Sequence, residues 1–328
     1  MRRTPRLLVV VGIVILGLVS YYAKRVVNPI TGEKQSVSLT PDQEIVLGLN
    51  SAPQMTEELG GLEPDPAVRQ RVQKLGEELV AQSVARQSPY KFSFSVLRDP
   101  KTINAFALPG GPIFITRGLL DRLESDGQVA GVLGHEIGHV LARHSAEQMA
   151  KSELAQTLVG AAAVAASDEQ GRSQSAEMTA VFVAQMVQMK YGRGDELEAD
   201  QLGVRLVSEA GYDPRALIGV MKVLESSSSG GRQPEFMSTH PDPGNRQRAI
   251  EEAIQKRFPG GVPAGLKAEA PRHAPALHAA LPARTPVRLR HTNYREARAG
   301  TRLEPAAFRL RAQAPEGPPR VGPARRSP

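Results

Sequence analysis

The sequence predicts an α+β fold, mostly α-helical, with a small β-sheet. Three observations carry that prediction. Apolar residues recur at helical spacing in most segments between residues 40 and 258. Residues 90–97 instead alternate Tyr90, Phe92, Phe94 and Val96 against Lys91, Ser93 and Ser95, the pattern of a half-buried strand. Residues 104–116 add two extended pieces around a Pro109-Gly110-Gly111-Pro112 turn.

The chain opens with Arg2, Arg3 and Arg6, followed by an unbroken apolar run over residues 7–19 that Ser20, Tyr21 and Tyr22 extend to Ala23. As a helix those 17 residues span about 25 Å, slightly under the roughly 30 Å of a bilayer's hydrocarbon core. Residues 1–25 therefore read as a cleaved signal peptide or a membrane anchor. Potential cuts put Leu18 or Tyr21 where a small residue is wanted, and paired tyrosines suit a membrane interface, so the anchor is favoured. Either way the arginines stay in the cytoplasm and the rest is exported. Residues 28–35 (NPITGEKQ) read as a polar, turn-rich linker. Thr40 as N-cap and Pro41 at the first helical position start the next helix. After Asp65-Pro66, the residues Val68, Val72, Leu75 and Leu79 mark another, with a packing role.

Residues 131–144 (GVLGHEIGHVLARH) hold the organising motif, H-E-x-x-H. Positions i and i+4 share a helix face, so His135 and His139 can aim both imidazoles at one metal ion. Glu136, offset by one residue, leans over the same site and can take a proton from an activated water. Three fixed positions can arise by chance, but Val129, Val132, Leu133, Val140 and Leu141 make this helix apolar. Buried histidines and a buried carboxylate cost several kcal/mol unless they find partners. Gly134 and Gly138 each lower helix propensity by about 1 kcal/mol, so room is needed there for metal, substrate or a close neighbour. Ser125-Asp126 caps this helix, expected over residues 127–149. His144 falls on another face and reads as structural or exposed.

Residues 154–166 form a small apolar segment that suits a tightly packed helix, 167–175 a polar loop, and 176–190 a further helix. A loop at 191–195 then enters a helix that stops at Gly211. Glu196 and Asp200, four apart, share a face there. A catalytic zinc takes three protein ligands and keeps one position open. Glu196 can be the third ligand, and Asp200 can accept the free N–H of a ligand histidine. Glu198 points elsewhere. A solvated acidic helix start is the competing reading of these acids. Tyr212-Asp213-Pro214 starts a helix to about residue 225, and 226–231 (SSSSGG) is a flexible loop. His240 and Arg246, at the entry to a last helix over 245–258, could both face the site: His240 could cap the open zinc position or bond a tetrahedral oxyanion, and Arg246 could help hold it.

With 328 residues and 41% apolar content the chain can build a sizeable core, an aliphatic one given 4% aromatic residues. No cysteine is present, which excludes disulfides and thiolate metal sites. Residues 266–328 carry 13 basic and 4 acidic residues, more than the whole net charge of +7, so the remainder is slightly negative. That Pro/Ala/Arg-rich tail reads as disordered. It lacks the aromatic interleaving of a single-strand binder, and no dedicated nucleic-acid partner is expected.

With those residues in place the chain resembles the HtpX-like and BepA-like zinc metallopeptidases, a family that also holds the membrane prenyl-protein proteases. The resemblance covers about residues 28–263. It rests on five ordered motifs: NPITGEKQ, NAFALPGGPIFIT, GHEIGHVLARHSAEQ, the Glu196–Asp200 set, and His-Pro-x-x-x-x-Arg from His240 to Arg246. It implies a zincin-like fold of the gluzincin type and a metallopeptidase domain over residues 28–263. It also implies one Zn2+ on His135, His139 and Glu196, with Glu136 as general base. Asp200 matches an aspartate that supports a ligand, sometimes assigned as a proton donor, while His240 and Arg246 match residues beside the open metal position. The single N-terminal segment points to the periplasmic branch, attached to the inner membrane or released from it. Substrates would be misfolded or misassembled envelope proteins, cut at internal peptide bonds. The rival is a tethered chaperone-like binder of unfolded clients, which would have no need of Glu136. A prenyl-peptide protease is disfavoured because that role needs several membrane helices.

Overall fold

The computed structural model describes residues 3–166, 191–228, 234–241 and 244–267, with the backbone alone for 3–7 and 162–166. The helices are α1 (Arg3–Ala23), α2 (Pro41–Glu58), α3 (Pro66–Gln82), α4 (Arg117–Leu120), α5 (Asp126–Leu141), α6 (His144–Ala166), α7 (Arg193–Glu209), α8 (Ala216–Ser227), α9 (Glu235–Thr239) and α10 (Arg246–Arg257). The strands are β1 (Arg25–Val27), β2 (Lys34–Ser36), β3 (Ser93–Leu97), β4 (Ala105–Ala107) and β5 (Pro112–Thr116). The described part is thus mostly helical with small sheets, as expected. The loop and helix expected at 167–190, the second half of the SSSSGG loop and the tail beyond Lys267 lie outside the described residues.

Local chemistry explains the element starts. Thr40 accepts from Gln43 N while the Gln43 side chain accepts from Thr40 N, a closed capping box with Pro41 in the first turn. Asp65 caps α3 by accepting from Ala67 N. α3 lays Val68, Val72, Leu75 and Leu79 into the core. Gly76 is obligatory there, since a Cβ would sit 2.4 Å from the Phe94 ring.

β5 is the middle strand of a three-stranded sheet, parallel to β3 and antiparallel to β4. Pro109–Pro112 makes the predicted turn, with Gly110 and Gly111 at φ 75° and 128°. One expectation shifts: the first strand of this sheet starts at Ser93 rather than Tyr90. β5 is fully buried, with β3 and β4 at the two sheet edges.

The segment NPITGEKQ is no linker. It closes the β1–β2 hairpin, and its two buried amides cap the end of α5. Asn28 Nδ2 donates to Leu141 O (2.8 Å) and Gln35 Nε2 to Ala142 O (2.7 Å), satisfying carbonyls that a helix terminus leaves open. Nor does the metal helix run to residue 149. It stops at Leu141, and Arg143 takes a left-handed φ of 59° before α6 begins. The Arg143 guanidinium holds that turn by donating to Glu44 Oε1 and Leu39 O.

α1 packs along α6, where a Cβ on Gly17 would lie 2.9 Å from Thr157 Cγ2. Lys24 Nζ donates to Ser38 and Glu153 at the base of the pair. The fully described part of α1, residues 8–23, is about 24 Å long at helical rise. Among the described residues no helix is long and apolar enough to cross a membrane. At the other end the described residues run to Lys267. Lys267 pairs with Tyr212, its backbone bonds Gly211 O and Asp213 N, and its ammonium contacts Glu78.

Candidate metal centre

α5 runs through the middle of the core with every residue from Gly127 to Leu141 buried. α7 crosses it closely, and the glycines of the motif permit this. A Cβ on Gly138 would stand 2.9 Å from Ala199 O, and one on Gly134 3.0 Å from Val207 Cγ2. The room these glycines provide is therefore for a neighbouring helix. That crossing brings His135, Glu136 and His139 of α5 against Glu196 and Asp200 of α7. The short α9 and the following turn deliver His240, and α10 opens with Arg246.

All seven predicted site residues meet here, each at most 3% exposed. His135 Nε2 lies 3.0 Å from His139 Nε2 and 3.4 Å from Glu196 Oε2. His139 Nε2 is 3.5 Å from Glu196 Oε1. His240 joins them, with Nδ1 3.1 Å from Glu196 Oε1 and 3.4 Å from His135 Nε2. One donor atom from each of His135, His139, Glu196 and His240 falls within 4.8 Å of the others. Three imidazole nitrogens and a carboxylate oxygen converging in a buried space fit a divalent metal of zinc's type. Both Glu136 oxygens are buried beside this cluster without a hydrogen-bond partner among the described residues.

The surrounding groups fix these side chains. Asp200 Oδ1 is 2.9 Å from His135 Nδ1, leaving Nε2 to face the cluster. Arg246 grips Asp200 with two bonds, Nε to Oδ2 (2.8 Å) and Nη2 to Oδ1 (2.7 Å), while its Nη1 lies 3.1 Å from Glu196 Oε2. Burial opposes a charge on His135, but its bonds to Asp200 and Glu196 prevail and lift its pKa to about 9. His139, equally buried and next to His135, has its pKa pushed well down. Burial alone would raise Glu196, yet the charge of His240 and the bonds from His135 and His240 hold its pKa below the ordinary carboxylate range. Burial dominates at Glu136 and raises its pKa.

Sequence reasoning missed four residues. Tyr191 stacks on His139 with centroids 4.0 Å apart, and Phe236 stacks on His240 at 4.4 Å. His144, expected to be structural or exposed, is buried with Nδ1 2.8 Å from His139 Nδ1. Glu198, expected to point elsewhere, faces His144 Nε2 at 3.3 Å. The aromatic residues carry no sequence signal of this role. The two polar ones do: an extra histidine just past the motif, and a third acid between Glu196 and Asp200.

Residues 66–254 match the profile of Peptidase family M48. The chain is 34% identical over 171 residues to the mitochondrial metalloendopeptidase OMA1 of Schizosaccharomyces pombe, covering 52% of this chain and 49% of that protein. It is 29% identical over 224 residues to the beta-barrel assembly-enhancing protease of Yersinia pestis, and over 227 residues to that of Escherichia coli, covering 66% of this chain and 45% of each. The chain spans about half the length of the curated relatives it matches. Because the matched region runs from the start of α3 nearly to the end of α10, it takes in every residue of the cluster, and the chain belongs to peptidase family M48.

Proposed function

We propose that this chain is a zinc-dependent metalloendopeptidase that hydrolyses internal peptide bonds. The observation that carries the reading is the buried convergence of His135, His139 and Glu196 beside a carboxylate, Glu136, that accepts no hydrogen bond among the described residues. Held by those three ligands, a zinc ion supplies Lewis acidity that activates water and polarises the scissile carbonyl. Glu136 takes the proton of the attacking water and passes it to the leaving amine. Asp200 keeps His135 in the tautomer whose Nε2 is free. Arg246 neutralises Asp200 and Glu196 so that both acids stay ionised in a buried site. Zinc content and casein hydrolysis, measured on the full chain in detergent, test the reading. Protein with one tightly held zinc per chain and no cleavage would favour the tethered binder, and protein without zinc would remove the ligand assignment.

We propose that His240 stabilises the tetrahedral oxyanion or adds a further donor to the metal. Its Nε2 lies 3.6 Å from Glu136 Oε1. His240→Ala should change turnover while one zinc per chain is retained. Loss of the zinc in that variant would make His240 an obligatory ligand.

The substrate class we propose is misfolded or misassembled envelope protein, supported by the beta-barrel assembly-enhancing name of two relatives. We further propose a peptidase domain over residues 28–263, exported and attached to the inner membrane through residues 1–25, with 266–328 as a basic tail without a dedicated partner. The attachment is supported by large apolar side chains facing outward on α1 (Leu8, Val9, Ile15, Leu16, Val19) and on the α6 face beside it (Leu158, Val159). Tyr21, Tyr22, Lys24 and Arg25 lie where an interface belt would fall. Full-length protein should stay with membranes in alkaline carbonate and leave them only in detergent; release by carbonate would exclude the anchor.

A further inference from the structure

The two ligand histidines are not supported alike. His135 gives its Nδ1 proton to Asp200, an arrangement with a carboxylate directly behind the ligand. Behind His139 stands, among the described residues, another imidazole in place of a carboxylate: His144, with Nδ1 facing Nδ1 at 2.8 Å. A bond between two such nitrogens needs one protonated and one bare. Glu198 decides which. Its Oε2 faces His144 Nε2 at 3.3 Å, and a carboxylate only accepts, so the His144 proton sits on Nε2. His144 Nδ1 is then the acceptor, His139 Nδ1 the donor, and His139 Nε2 keeps its lone pair toward Glu196 and His135. Only this order of protons leaves His139 able to bind a metal.

The fold spends specific features on presenting His144. Continuing α5 would carry residue 144 round to another face, away from His139. The left-handed turn at Arg143 breaks the helix, and its guanidinium is held by Glu44 and Leu39 O. Next to His144, Ser145 Oγ pairs with Tyr191 Oη at 3.1 Å, and the Tyr191 ring covers the face of His139 with planes 20° apart. His139 is thus gripped at its edge by His144 and at its face by Tyr191.

We infer that His144, oriented by Glu198, is a positioning residue that sets the tautomer and ring angle of His139 for metal binding. The inference rests on His139 being a ligand, as proposed above. Full-length wild type, His144→Leu, His144→Asn and Glu198→Leu would be titrated with zinc against a chromogenic chelator. The visible spectrum of the cobalt-substituted proteins would be recorded, with the melting temperature of each metal-free protein as the check on folding. His144→Leu should bind zinc about 10–100-fold more weakly than wild type and show an altered cobalt spectrum. Glu198→Leu should shift in the same direction. His144→Asn, whose amide oxygen can still accept from His139 Nδ1, should recover most of the affinity and the wild-type spectrum. A folded His144→Leu with wild-type affinity and spectrum overturns the inference while leaving the ligand set intact. So does a His144→Asn variant that behaves like His144→Leu, since the ring would then act by filling space. Wild type that holds no zinc removes the ligand reading and this inference with it.

Discussion

Glu136→Gln should lower kcat by about 10²–10⁴-fold, the usual contribution of a positioned general base, with one zinc per chain retained. The substitution keeps size and polarity but removes the basic oxygen. No proposed ligand atom is lost, because the three proposed donors belong to His135, His139 and Glu196. KM should change little, since Glu136 acts on a proton in flight rather than on bound substrate. Casein cleavage followed with zinc content separates the cases. Activity within tenfold of wild type would take Glu136 out of the reaction, whereas loss of zinc would mean the carboxylate helps hold the site together.

Removing Arg246 should cost about 3–5 kcal/mol of stability, the range for stripping one partner from a buried ion pair. Arg246→Met fills similar space yet leaves Asp200 with neither of its two guanidinium bonds and Glu196 without its nearest cation. Both carboxylates are at most 2% exposed, so water cannot take over. For a domain of this size, that loss lowers the melting temperature by roughly 6–20 °C. Arg246→Lys should recover only part of it, because an ammonium cannot make the two parallel bonds to Asp200. The deficit should be largest in metal-free protein, where Glu196 lacks the charge that a bound metal would supply. A drop under about 1 kcal/mol, the size of a surface pair, would show that the acids find other compensation.

Much of the site is legible in the chain because it is written at helical spacing. His135 and His139 share a face by virtue of four-residue separation, and so do Glu196 and Asp200; the structure keeps both pairs as read. Capping chemistry at Thr40 and Asp65 and the double-glycine turn at Gly110-Gly111 are equally local and equally recovered. Errors arise where a residue's partner is distant. A polar NPITGEKQ segment looks like linker until Asn28 and Gln35 meet carbonyls more than a hundred residues away. An apolar run through residues 127–149 looks like one helix until Glu44, from α2, holds Arg143 in a turn. Helical projection set His144 aside, and that projection fails because α5 ends at Leu141 and the chain turns at Arg143.

By itself, then, the sequence determined the helical capping and turn signals and the pairing of His135 with His139 within α5 and of Glu196 with Asp200 within α7, since these depend on backbone periodicity and on hydrogen bonds to near neighbours. Only the tertiary structure decided that the motif glycines serve the crossing of α5 with α7, that β5 is interior, and that His144 and Glu198 stand behind His139. Those outcomes depend on close packing between segments far apart in the chain, where a shift of a few tenths of an ångström decides whether two groups meet.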